Sequence, residues 1–233
     1  MEGSANSKNV SNYEMLARYY DELLQDEEAL KLWLNYIEEQ PCHFVLELAS
    51  GSGVMAGILK NKGYDVTASD ISSQMKEVSK ANFDGEYLLL DMTDFDLHKS
   101  FDLVLCICDS INYLYEDELD SFFSSCAKHL KEKGRLIFDM HSVKRLDEFK
   151  EQYIEEGFVQ DVPYQWTIVS DEYEQMILEH FTFYTDEGMI QENHCQNVFT
   201  PDVIKKHMMP YFDCRIIDDF VEDEKILIVG YKK

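Results

Sequence analysis

An α/β fold built on an open, largely parallel sheet is predicted by three features of the chain. Apolar runs of strand length alternate with stretches of helical periodicity between residues 44 and 140. A β-branched and aromatic segment then fills about 158–199, and two more strand-like runs close the chain at 214–220 and 225–232. Five alternating strands and a closing pair make a doubly wound, seven-stranded sheet. An antiparallel β insertion follows the fifth strand, and the last two strands form an antiparallel hairpin.

Residues 1–9 (MEGSANSKN) are small and polar and read as a frayed terminus. Over 13–39 the apolar residues Leu16, Tyr19, Tyr20, Leu23 and Leu24, then Leu30, Trp33, Leu34 and Ile37, recur at three-to-four spacing, which predicts two helices. Strand 44–48 is followed by helix 54–62, stopped by Gly63. Strand 65–69 leads to Asp70-Ile71-Ser72-Ser73, which supplies N-cap residues for a helix to about Ala81. Strand 86–90 ends at Asp91, and 101–108 (FDLVLCIC) is a nearly unbroken apolar strand. Helix 116–130 follows, and Gly134 restarts the chain into strand 135–140. VPYQWTIVS, QMILEHFTFYT and MIQENHCQNVF, separated by acidic turns, predict an antiparallel meander. A helix over 202–209, after Thr200-Pro201, precedes the hairpin.

With 233 residues and 45% hydrophobic content, the chain suits one domain with an insertion. Its 21 basic and 46 acidic residues give a net charge of −25. That sign repels a phosphate backbone, so a nucleic-acid partner is disfavoured. Six cysteines stand at 42, 106, 108, 126, 195 and 214, without C-x-x-C or zinc spacing, so no metal is expected. Cys106 and Cys108 lie in an apolar run, as small hydrophobes do. The reading is a cytoplasmic protein. No apolar run approaches the roughly 20 residues that span a bilayer, so no membrane role is expected.

The segment ELASGSG (47–53) joins the first strand to its helix, with Gly51 and Gly53 spaced by one residue and Gly57 beyond. Such a loop lets backbone approach a ligand at the carboxyl end of the sheet. It also reads as a tight turn with no ligand. Asp70 ends the second strand, where a carboxylate can accept both hydroxyls of a ribose. Asp91 ends the third strand, where it can take an adenine amino proton while the N–H of Met92 meets a ring nitrogen. Asp109-Ser110-Ile111-Asn112-Tyr113 follows the fourth strand. Each acid alone also fits a solvated loop or an N-cap; together they outline a nucleoside pocket. Two cofactors contain such a nucleoside, a nicotinamide dinucleotide and S-adenosylmethionine. Glu47 just before the loop opposes a pyrophosphate and suits an ammonium and a sulfonium.

The chain resembles the class I S-adenosylmethionine-dependent methyltransferases of the bacterial small-molecule type. The resemblance is carried by ELASGSG (47–53), ASDIS (68–72), LLLDMTDF (88–95), FDLVLCICDSINYL (101–114), LKEKGRLIFDMHS (130–142) and the Tyr-rich YEMLARYYDELL (13–24). It implies a Rossmann-like fold, S-adenosylmethionine as cofactor and methyl transfer by in-line displacement to a small-molecule acceptor. By position it implies that Glu47, Ala49, Gly51 and Gly53 line the methionine end. Asp70 would hold the ribose, Asp91 and Met92 the adenine, Ile71 would contact the cofactor as well, and Asp109 would lie near the methyl, with Tyr20 closing over the cofactor. It divides the chain into an N-terminal helical cap (1–40), a cofactor-binding core (41–150), a β insertion acting as a substrate lid (151–199) and a return to the core (200–233).

One departure is Ala49, where a glycine is usual; alanine is a mild change there if φ is negative. Candidate proton acceptors are Asp109 and His141, with Asp139 beside them, while His180 and His194 read as structural. Tyr164, Trp166, Phe181, Phe183 and Tyr184 would form an aromatic lid wherever they face the cleft, suited to a cationic amine. A nicotinamide-dependent oxidoreductase, favoured by Gly51, Gly53 and Gly57, and a non-catalytic protein that kept the fold are the alternatives. Neither the acceptor atom nor an oligomeric state is selected by these residues.

Overall fold

The computed structural model describes residues 15–221 and 224–233; the expected frayed segment 1–9 and the start of the first helical stretch lie outside them. Two helices come first, α1 (Leu16–Leu24) and α2 (Glu27–Glu38). Asp26 starts the second, because its carboxylate accepts the N–H of Glu28 at 2.8 Å and of Ala29 at 3.0 Å. The alternating region follows as β1 (Phe44–Glu47), α3 (Val54–Asn61), β2 (Asp65–Asp70), α4 (Ser73–Val78), β3 (Glu86–Leu89), β4 (Phe101–Cys106), α5 (Leu119–His129) and β5 (Leu130–His141). After the short α6 (Lys144–Glu148) come β6 (Tyr153–Val159), β7 (Val162–Asp171), β8 (Met176–Thr185) and β9 (Gly188–Asn197). The chain closes with α7 (Pro201–Met208), β10 (Phe212–Phe220) and β11 (Lys225–Lys232).

The seven-stranded sheet has the order β10-β11-β5-β4-β1-β2-β3. The strands from β1 to β5 pair in parallel, while β11 runs antiparallel to both β5 and β10. The chain winds outward from β1 to β3 and then crosses back to β4. The loops after β1 and β4 therefore part, and a crevice opens at their carboxyl ends. Both faces of the sheet are covered, which is why its strands are apolar without alternation. On one face Leu46 and Phe138 pack with Phe122 and Phe123 of α5. On the other, Val45, Leu105 and Leu227 pack with Trp33 and Ile37 of α2. The second helix is thus a layer of the core. The first helix stands over the crevice, where Leu16 packs with Phe181 and Phe183, and Ala29, Leu30 and Trp33 of α2 also reach its wall. No helix among the described residues is long and apolar enough to cross a membrane.

The insertion is a four-stranded antiparallel sheet of order β6-β7-β8-β9. Its first strand begins at Tyr153, ahead of the expected start. Ile168 pairs with Glu179, and Glu179 with His194. The two-residue period then puts Trp166, Glu179, Phe181 and His194 on the face turned to the crevice.

Candidate functional site

A cavity of about 410 Å³ lies between the carboxyl ends of the large sheet, α1 and the insertion. The loop after β1 forms one side. It turns through left-handed conformations at Ala49 (φ +50°), Gly51 (φ +54°) and Gly53 (φ +77°). The proviso on Ala49 is therefore not met: an alanine occupies a conformation that favours glycine. Gly51 N–H donates to Asp70 Oδ2 at 3.0 Å, and Tyr87 OH donates to the Gly51 carbonyl. A Cβ on Gly51 would find only Tyr20 of α1, 4.0 Å away, so the loop lies open beneath that ring. A second grip comes from Asp21, which accepts from the Ser52 hydroxyl and, at 2.8 Å, from Asn82 Nδ2.

Glu47 is 2% exposed, and the Ser50 hydroxyl donates to it at 2.9 Å. Burial pushes its carboxyl up to about 8, against the opposing effect of that hydrogen bond. Asp70 is also raised by burial, opposed by the N–H groups of Ser72 and Gly51 that it accepts. Ile71 and Met92 line the cavity beside Asp70.

The loop after β4 forms the other side. Cys108 (φ +60°) and Asp109 (φ +57°) are two successive left-handed residues. They are held there by Asp139, whose carboxylate accepts both N–H groups, at 2.8 and 3.1 Å. Asp139 is fully buried, anchors the loop and is not on the cavity wall. Lys225 Nζ reaches Asp109 Oδ2 at 2.6 Å and lies 3.5 Å from Asp139. Burial raises the Asp109 carboxyl, but the ammonium at 2.6 Å prevails and holds it ionised. Asp139 is raised by burial, only partly relieved by the more distant Lys225.

Asp109 Oδ1 and His141 Nδ1 face each other at 3.6 Å, and both atoms are buried without a hydrogen-bond partner. His141 Nε2 meets Gln196 Oε1 at 2.9 Å. With that oxygen turned to the ring, Nε2 carries the proton and Nδ1 keeps its lone pair. Burial lowers the imidazole, partly offset by Asp109. Two acceptor atoms thus converge with no donor between them. This is a socket for an N–H or O–H.

Tyr20, Glu47, Ala49, Gly51, Asp70, Ile71, Met92, Asp109 and His141 all line the one cavity. Gly53 and Asp91 are not on its wall. Gly53 caps α3, and a Cβ there would press Phe83 and Ser79 at 3.2 Å. Asp91 accepts from the Thr93 N–H at 3.0 Å and its hydroxyl at 2.6 Å. Of the aromatic candidates, Trp166 and Phe181 line the cavity, Phe183 and Tyr164 pack towards α1, and Tyr184 lies 46% exposed. His180 bonds Asn193 on the outer face, whereas His194 joins the cavity wall, pushed down to about 4 by burial. Sequence reasoning missed Glu179, Gln196, Arg145 and Lys225 on that wall. Alternation within MILEHFTFYT puts Glu179 on the face of Phe181, a signal that was available.

The site suits S-adenosylmethionine better than a dinucleotide. Among the described wall residues the only lysine and arginine are Lys225 and Arg145, and both are matched by carboxylates, Asp109 for one and Glu148 and Glu224 for the other. Gly57 serves packing, since a Cβ there would stand 2.2 Å from the Asn82 carbonyl.

Comparison with known proteins agrees with that chemistry. The profile of a family described as "Methyltransferase domain" matches residues 45–134. A protein of Geobacillus sp. (strain WCH70) named as a methyltransferase is 28% identical over 212 residues, 83% of this chain and 85% of that one. A solved S-adenosylmethionine-dependent methyltransferase from Clostridium acetobutylicum superposes with a TM-score of 0.78 at 21% identity, covering 94% of this chain and 98% of that one. The sugar N-methyltransferase KedS8 from Streptoalloteichus sp superposes with a TM-score of 0.81 at 18% identity, covering 100% and 98%.

Proposed function

We propose that this chain, which belongs to the class I S-adenosylmethionine-dependent methyltransferases, transfers the methyl group to a small-molecule acceptor held beneath the insertion sheet. S-adenosylmethionine supplies a methyl carbon on a sulfonium, an electrophile that needs no activation. Glu47, Ala49 and Gly51 would receive the methionine portion, Asp70 the ribose hydroxyls, and Ile71 and Met92 the adenine, with Tyr20 above the loop. Both Asp70 oxygens already accept a backbone N–H and so are fixed in place, each with a lone pair left for a hydroxyl. Asp91 and Gly53 would act indirectly, by shaping the loops.

The observation that carries the acceptor reading is the socket of Asp109 Oδ1 and His141 Nδ1 at 3.6 Å. An acceptor that donates its N–H or O–H there has its remaining lone pair oriented towards the glycine-loop side. His141 then takes the proton as the new bond forms. Asp109, kept ionised by Lys225, stabilises the imidazolium. Holding the two reactants in line is worth roughly 7–11 kcal/mol, the larger part of what the protein contributes. The size of the cavity and its roof of α1 and insertion support a small acceptor, as does the sugar substrate in the name of the KedS8 neighbour. Residues 151–199 would then serve as the substrate lid.

Calorimetric titration with S-adenosylmethionine and its demethylated product, with NADH and NADPH as controls, tests this reading. Micromolar binding of the first two is expected, weakened about 10- to 100-fold in Asp70→Ala by the loss of charge-assisted hydrogen bonds. A folded protein that binds neither refutes it.

A further inference from the structure

One arm of the cavity carries a carboxylate with no cation. Glu179 lies on the crevice face of β8 between Ile168 and His194 in register. Its Oε2 accepts the indole N–H of Trp166 at 3.0 Å. Among the described residues nothing donates to Oε1, and no lysine, arginine or histidine lies within ion-pair distance, although Arg145 and Lys225 act on the carboxyl from further away. The two cations among the described wall residues are already matched. Lys225 holds Asp109, and Arg145 lies between Glu148 and Glu224, at 2.8 and 3.3 Å, over the Phe149 ring at 4.5 Å. The surroundings of Glu179 are apolar and aromatic: Trp166 stacks on Phe181 at 5.2 Å and 14°, and His194 meets Phe181 edge-on at 5.8 Å. Burial keeps its carboxyl near 7, although the Trp166 hydrogen bond opposes the rise.

Glu179 is half-buried, and a carboxylate partly withdrawn from water among aromatic rings is stabilised by a ligand that supplies a cation. The Trp166 N–H fixes one oxygen and so aims the other. We propose that Glu179 is the specificity-determining residue for the acceptor: Oε1 accepts a hydrogen bond from a protonated nitrogen, so the acceptor carries a cationic amine, separate from the neutral N–H or O–H that enters the Asp109–His141 socket, and its apolar body lies along Trp166 and Phe181. This rests on the reading of that arm as a small-molecule site. It adds a residue and a charge requirement that the fold alone does not give. The net charge of −25 favours the same class, because it draws cations towards the molecule.

The test is calorimetric titration of benzylamine and cyclohexylamine against benzyl alcohol and cyclohexanol, on protein saturated with S-adenosylhomocysteine. Wild type, Glu179→Gln and Glu179→Asp are compared. The amines are expected to bind wild type at least about 10-fold more tightly than the matched alcohols. Glu179→Gln should lose about 10- to 100-fold on the amines and little on the alcohols, with Glu179→Asp regaining part of the loss. An unchanged affinity for S-adenosylhomocysteine in all three proteins separates this from misfolding. If amines and alcohols bind equally, or if Glu179→Gln binds amines like wild type, the role of Glu179 is refuted while the small-molecule site stands. If neither class binds and S-adenosylhomocysteine does, the small-molecule reading of that arm falls, and the inference with it.

Discussion

Replacing Glu47 by glutamine should change how stability depends on pH. Buried Glu47 is pushed from its usual 4.5 to about 8. Between these values the unfolded chain has released the proton and the folded chain still holds it. The folded state therefore binds more protons, and stability falls as pH rises through that window, levelling off above about 8. At about 1.4 kcal/mol for each pH unit, the loss reaches about 5 kcal/mol as an upper value. Urea unfolding of wild type and Glu47→Gln at intervals from pH 5 to pH 9 reads it directly. Other buried acids, among them Asp70 and Glu179, tilt both proteins in the same direction. The difference between the two curves therefore isolates position 47: Glu47→Gln should lose several kcal/mol less than wild type across the range. A cationic cofactor at the loop favours the ionised form, so cofactor binding below pH 8 should release more protons in wild type than in the variant. Calorimetry in buffers of different ionisation enthalpy measures that release. Parallel stability curves, or equal proton release, would show that Glu47 is not the group described.

Lys225→Met should cost about 3–5 kcal/mol, because it leaves Asp109 and Asp139 buried without their cation; a loss below about 1 kcal/mol by urea unfolding would contradict the pairing. Ala49→Gly should stabilise the protein by about 1 kcal/mol, since the left-handed φ of +50° is then free of a Cβ penalty. A lower unfolding midpoint for that variant would refute the strain.

The alternation of apolar runs and helices was legible because strands buried on both faces must be apolar along their whole length, as β4 and β5 are. The positions of Asp70 and Asp109 followed from it, since strand ends fix where loops open. What escaped reading depends on distance in space. The first insertion strand, YIEEGFV, is largely exposed at the sheet edge and carries two glutamates, so it lacks an apolar signature. Lys225 opens an apolar strand as an ordinary surface lysine would; only the pairing of β11 with β5, which sets Lys225 against His141, brings it to Asp109. Asp91 and Gly53 read as ligand contacts, and neither lines the cavity wall, because loop composition does not reveal which way a loop turns its residues.

The first helix has one more consequence, for the order in which the protein is made. Its leading N–H groups, those of Met15 and Leu16, are capped by the Glu192 carboxylate of β9, a partner 177 residues downstream in the chain. A nine-residue helix is marginal alone in water. The helix that roofs the cavity therefore gains its cap only after residue 192 has left the ribosome, and closing so long a loop comes late in folding. During synthesis the glycine loop and Asp70 emerge long before that cap does. Until residue 192 emerges, the nascent protein has a cofactor cradle but not yet a closed reaction chamber.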